Sequence, residues 1–176
     1  YSGLSILLLV RDPIELAASG YQQTIKRGGR DVAQESYFDQ FDLRGMAQLI
    51  RKIEAVEGIE LRIRNYRNWK TKLPEVMRDW LGLQLDFELP DTQKINRSLT
   101  ASELNLQRML NVRLGPSGKV LADRFCEDLP DIPAGVEFPP IGVQKRLAKR
   151  LEKSVSDINH RVPQGEELLF SFAENT

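Results

Sequence analysis

Arg11 and Ser19 are the two side chains whose types and spacing best suit chemistry on an anion. Arg11 ends an apolar run, Ile6 to Val10, and is followed at once by Asp12-Pro13, so it stands where a buried strand gives way to a helix. Ligands of open α/β sheets bind beyond the carboxyl ends of the strands, and a guanidinium is a planar, permanently charged fork suited to bidentate contact with phosphate. Ser19 comes about two helical turns later, where its hydroxyl can share an anion with an arginine at the helix entrance, and Ala17, Ala18 and Gly20 leave room for close approach. Both residues also have ordinary uses. Arg11 can pair with Asp12 or Glu15, and Ser19 can be a plain helical serine.

Two further groups could touch a ligand. Tyr66 closes a second strand pattern, where it can meet a ligand or simply cap the core. Asn96, Arg97 and Ser98 precede a helix start, where free N–H groups and the helix dipole favour an anion, although the same turn can serve only to cap the helix. The single Cys126 excludes an internal disulfide and leaves no cysteine cluster for zinc. The single His160 falls at the end of an amphipathic helix pattern.

These residues need elements to hold them. Ser5–Val10 lacks alternation after its serine and predicts a strand covered on both faces, as in a parallel sheet. Asp12 is a capping residue and Pro13 suits a first helical turn, which predicts a helix from Pro13 to Lys26, stopped by Gly28-Gly29. Gly29 to Asp42 reads as an ordered loop or lid. A helix from Leu43 to Glu57 would pack Met46, Leu49, Ile50, Ile53 and Val56, and Ile59, Leu61 and Ile63 alternate with charged residues in a strand ending near Tyr66. A helix at Leu73–Leu81 would turn Val76, Met77, Trp80 and Leu81 to the core.

After Leu89 the patterns are helical. Thr100 with Glu103 forms a capping box, and Leu99 with Leu104 a hydrophobic staple, around a helix starting at Ala101. Further helices are expected at Gly118–Leu129 and, beyond a Pro-rich stretch, at Ile141–Asn159, with Val143, Leu147, Leu151, Val155 and Ile158 on one stripe and Lys145, Arg146, Lys149 and Arg150 on a solvated face. The expected organisation is one partial α/β domain over residues 1–176, with a parallel-sheet part at 1–89 and a mainly helical part at 90–176.

Composition limits the function classes. Lys plus Arg and Asp plus Glu both number 25, so no net field draws the whole surface to nucleic acid or an anionic membrane, and any anion site must be local. The longest apolar run is far shorter than the ~20 residues of a membrane helix, which predicts a soluble, cytoplasmic chain without a transmembrane segment. A start at Tyr1, almost inside a hydrophobic strand, suggests a fragment.

The stretch Leu7-Leu-Leu-Val-Arg-Asp-Pro-Ile-Glu-Leu-Ala-Ala-Ser-Gly-Tyr21 resembles the 3′-phosphate motif of the sulfotransferase family: a hydrophobic strand, Arg-Asp-Pro, a serine eight residues after the arginine, then an aromatic. The resemblance implies a P-loop-NTPase-like parallel sheet, of which this would be part. It also implies that Arg11 and Ser19 bind the 3′-phosphate of 3′-phosphoadenosine 5′-phosphosulfate, or of its product adenosine 3′,5′-bisphosphate. Arg64-Asn65-Tyr66, followed by Trp80-Leu-Gly-Leu83, is similar to the family's strand and tyrosine near the adenine, which makes Tyr66 a candidate. Lys94-Ile-Asn-Arg-Ser-Leu-Thr100 looks like a stretch of bacterial members, where Asn96, Arg97 and Ser98 could close over phosphate.

The departures bear equally on function. The family's Lys- and hydroxyl-bearing loop for the 5′-phosphosulfate is not among these residues, and its general base would lie upstream of Tyr1. The implied reaction of a complete protein is metal-free sulfuryl transfer to a hydroxyl or amine acceptor, with these residues supplying the 3′-phosphate half of the donor site. A nucleotide kinase of the P-loop class and a non-catalytic nucleotide-binding or scaffold module are the rival readings.

Overall fold

The computed structural model describes residues 3–84, 97–129, 131–132 and 135–173. In chain order these form β1 (Leu4–Val10), α1 (Pro13–Lys26), α2 (Gln34–Gln40), α3 (Arg44–Glu54), β2 (Ile59–Asn65), α4 (Tyr66–Trp69), α5 (Leu73–Leu81), α6 (Ala101–Leu114), a 3₁₀ turn (Gly115–Gly118), α7 (Lys119–Asp128) and α8 (Ile141–Asn159). The class is mixed α/β with a two-stranded parallel sheet. The chain divides into two compact units, one of Tyr1–Pro13, Asp42–Pro90 and Ala148–Ser171, the other of Ile14–Phe41, Asp91–Leu147 and Phe172–Thr176. The boundary expected near residue 90 separates element types, whereas each unit gathers pieces from both sides of it. Among the described residues no helix is long and apolar enough to cross a membrane.

In the first unit β1 and β2 pair in register from Leu4 opposite Ile59 to Val10 opposite Asn65. Parallel neighbours require a crossover rather than a hairpin, and helices occupy the intervening sequence. The strand β1 is not covered on both faces: Val10 is buried, but Ser5 to Leu9 are only half-buried and Leu4 is exposed, since among the described residues β2 is its one strand partner. Ser5 uses its hydroxyl to accept from Trp80 Nε1 at 3.0 Å, which anchors α5 beside the strand. The face that α3 buries runs through Leu43, Ala47 and Ile50. Leu49 and Val56, expected on it, are 50% and 51% exposed: Leu49 is two residues from Ala47 and so on another side of the helix from the buried stripe, and Val56 lies beyond the end of α3. Ion pairs of Arg161 with Glu54 and of Arg51 with Asp157 fasten α3 to the end of α8.

In the second unit α1 buries Ile14, Ala17, Ala18, Tyr21 and Ile25. The expected loop from Gly29 to Asp42 contains α2, whose Phe38 is fully buried and supplies the anchor that its polar neighbours concealed. The helix α6 reverses the usual pattern: it buries Gln107 and Asn111 while Met109 and Val112 are 70% and 63% exposed. The amide nitrogens of both side chains donate to backbone carbonyls. Asn111 Nδ2 donates to the carbonyls of Ile25 and Arg30 at 2.8 Å each, and Gln107 Nε2 donates to Asn111 Oδ1 at 2.7 Å and to the Gly118 carbonyl at 2.9 Å. Capping-box bonds between Thr100 and Glu103 start α6, as its sequence requires.

The turn held by Asn111 demands a glycine. Gly29 has φ +63°, and a Cβ there would meet the Gly115 carbonyl oxygen at 2.6 Å and the Pro116 backbone as well. Gly29→Ala is therefore expected to cost about 2 kcal/mol or more, read as a lower denaturation midpoint at unchanged m-value; an unaltered midpoint would contradict this packing.

Candidate functional site

The carboxyl ends of β1 and β2 lie side by side, and the residues that leave them face one another. The register that puts Val10 opposite Asn65 brings Arg11 and Tyr66 to equivalent positions one residue on, and the Arg11 guanidinium carbon stands 5.8 Å from the centroid of the Tyr66 ring. A cation at that distance over a tyrosine face is attracted by the ring quadrupole. Tyr66 is not the last residue of a strand but the first of α4, whose start Asn65 caps by accepting from the Arg67 N–H at 3.0 Å. A second cation–π contact, Arg64 over Trp69 at 5.6 Å, lies in the same unit.

Next to Arg11 in the chain is a fully buried carboxylate. Asp12, expected to cap α1, sends its carboxylate across to the end of β2: Oδ1 accepts from Asn65 Nδ2 at 3.3 Å and from the Leu169 N–H at 3.0 Å, and Oδ2 pairs with Arg67 at 2.9 Å. Buried charge is tolerated only when paired and hydrogen-bonded, and three partners meet that need. Glu166 repeats the arrangement on the other side of Asn65. It accepts from the Asn65 N–H at 3.0 Å and from Arg64 at 2.7 Å, while the Glu167 carbonyl accepts from Asn65 Nδ2 at 3.3 Å. The stretch 166–171 is thus bonded along the strand ends, with Ser171 Oγ accepting from Arg67 at 3.4 Å. Asn65, Arg67 and Glu166 were not singled out by sequence. Asparagine at a strand-to-helix junction is a capping signal that could have found the first, but nothing local marks Glu166, which lies 101 residues from the amide it holds.

Ser19 lies on α1, half-buried, in the second unit, and Tyr21, the aromatic of the same motif, is buried there with its ring 5.7 Å from that of Tyr37. Burial pushes the Tyr21 phenol above its ordinary pKa, opposed by the nearby Arg108. Asn96 lies outside the described residues.

Arg97 follows the structural one of the two uses that the sequence allows the turn before α6. Its five N–H donors are all taken: Nε by the Leu129 carbonyl at 2.7 Å, the two terminal nitrogens by a bidentate pair with Glu103 at 2.8 and 2.7 Å and by the carbonyls of Ser98 and Phe125. A guanidinium spent in this way joins the start of α6 to the end of α7 and is not open to a phosphate. Its own carbonyl accepts from the buried Lys26 Nζ at 3.0 Å. Ser98, half-buried, contributes its carbonyl to Arg97. His160 is exposed at the end of α8, its Nδ1 2.6 Å from the Ser156 carbonyl oxygen. No cluster of three or more His, Cys, Asp and Glu side chains able to hold a metal occurs among the described residues.

Comparison with models of protein families, with curated proteins and with solved structures gives no match.

The Arg97–Glu103 pair gives a pH dependence with a definite sign. Hydrogen bonding to Arg97 lowers the Glu103 pKa from 4.5 to about 2. Between those values the unfolded chain binds a proton that the folded chain does not, so the stabilisation is complete above pH 4.5 and is lost as the pH falls toward 2. Acid titration of unfolding should show wild type losing on the order of 2 kcal/mol more than Glu103→Gln over that window, narrowing the gap between them; parallel profiles would contradict the ion pair.

Proposed function

We propose that this chain belongs to a sulfotransferase-like enzyme and carries the donor-nucleotide half of its site, Arg11 binding the 3′-phosphate of 3′-phosphoadenosine 5′-phosphosulfate. The observation that carries the reading is the Arg11–Tyr66 pair: a guanidinium and an aromatic ring on the carboxyl ends of two adjacent parallel strands, the edge where α/β sheets bind ligands. Phosphate needs the first group and a purine favours the second. Ser19 enters the proposal through the sequence motif, as does the reading of the two strands as part of a P-loop-like sheet.

Sulfuryl transfer to a hydroxyl or amine resembles phosphoryl transfer in asking mainly for in-line positioning and charge stabilisation. In the proposed enzyme Arg11 fixes the nucleotide at a point remote from the sulfur, so that binding energy gathered there orients the transferred group. Its rigid setting favours this. The carbonyls, amide and carboxylates around Asn65 fix Tyr66 and the start of α4 before any ligand arrives, which reduces the ordering cost of binding.

A charge-assisted contact of about 1.5–3 kcal/mol at Arg11 means that Arg11→Ala should weaken adenosine 3′,5′-bisphosphate binding about tenfold or more in calorimetric titration of the protein. Unchanged affinity in the variant would remove Arg11 from the site. Binding of nucleoside triphosphate that requires magnesium, with no binding of the bisphosphate, would instead favour a kinase-like protein.

A further inference from the structure

A separate cavity of about 260 Å³ lies wholly within the second unit, lined by Thr24, Arg30, Val32, Tyr37, Gln40 and Phe41. Its lining carries one formal charge, the exposed Arg30 guanidinium. Two aromatic rings form a wall, Tyr37 and Phe41, with centroids 6.2 Å apart and planes tilted by 39°. The mixture is that of a small-molecule site, where apolar and aromatic walls are combined with a few convergent polar groups.

Each part of the cavity is held by packing outside it. Arg30 follows Gly29, whose positive φ and contact with Gly115 and Pro116 fix the turn, and the Arg30 carbonyl is bonded to the buried Asn111 amide at 2.8 Å. Tyr37 lies over α1 at Gly20, where a Cβ would come within 2.5 Å of its hydroxyl. The next residue, Phe38, is fully buried and pins α2 in place. A cation and a flat apolar wall are therefore presented together by a backbone that other contacts have already ordered, so little ordering remains to oppose binding.

We infer that this cavity binds a small single-ring aromatic carboxylate, its ring against Tyr37 and Phe41 and its carboxylate on Arg30 and the Thr24 hydroxyl. The volume is below the ~300–1,000 Å³ of drug-sized sites, which limits the ligand to one ring. Among anionic groups, the planar carboxylate matches the guanidinium fork in a bidentate pair. The inference stands apart from the nucleotide reading, since it uses neither Arg11 nor Tyr66.

Titration with benzoate, followed by amide chemical shifts, tests it. Shifts are expected at Thr24, Arg30, Tyr37, Gln40 and Phe41, with the neutral isostere benzamide and the Arg30→Met variant each binding at least tenfold more weakly. Arg30 is exposed, and unchanged shifts elsewhere in the variant would verify its fold; Thr24→Val, expected to weaken benzoate by a smaller factor, supplies a second variant. Benzoate that shifts no cavity residue, that binds no better than benzamide, that is indifferent to Arg30→Met, or that acts at Arg11 and Tyr66 would overturn the inference.

Discussion

The buried carboxylate of Asp12 is the constraint on which the strand ends depend. Fully removed from water, it requires compensation of several kcal/mol, and it draws that from three places in the sequence: Asn65 at the end of β2, Arg67 in α4, and the backbone of Leu169. Satisfying one ion thus fixes where β2 stops, how α4 starts and where the 166–171 stretch runs. Asn65 shows the economy of the arrangement. Its side chain caps α4 through Oδ1 and donates through Nδ2, while its N–H is held by Glu166. Arg11 and Tyr66 are the residues that follow the paired strand ends, each adjacent in sequence to a member of this lock.

Two arginines read from the sequence as ligand candidates sit in different places: Arg97 between two helices, Arg11 at a strand end. Arg97 has every donor matched by carbonyl or carboxylate, which makes it a structural cross-link between helices. Arg11 rests over an aromatic face at the end of a strand. A cation–π contact leaves the edge of a guanidinium geometrically distinct from its face, so stacking on a ring and bonding to an anion in the guanidinium plane are compatible. The sequence context of the two residues could not separate these cases, because the partners of Arg97 at Phe125 and Leu129 come from the far end of α7.

Elements governed by local rules were legible and those governed by distant contacts were not. The limits of α1, α5 and α8 follow from proline, glycine and the apolar stripe, and all five residues expected on the α8 stripe are buried. The helix α2 was hidden because a single buried Phe38 carries it among polar residues. The inverted burial of α6 was equally hidden. Its Gln107 and Asn111 face inward to satisfy the turns at Ile25, Arg30 and Gly118, a demand set by backbone that lies up to 86 residues away. At the site, Arg11 and Tyr66 could be named from strand ends, while the carboxylates that fix their surroundings could be known only from the fold.

The central claim is that the paired strand ends recognise the 3′-phosphate of a nucleotide. A side-by-side amide-shift titration with adenosine 3′,5′-bisphosphate and adenosine 5′-monophosphate addresses it directly, because the two ligands differ only in that group. Recognition of the 3′-phosphate predicts tighter binding of the bisphosphate by about tenfold or more, with the additional shifts centred on Arg11 and Tyr66. Equal affinity for the two nucleotides, or a response to the 3′-phosphate located elsewhere in the chain, would contradict it.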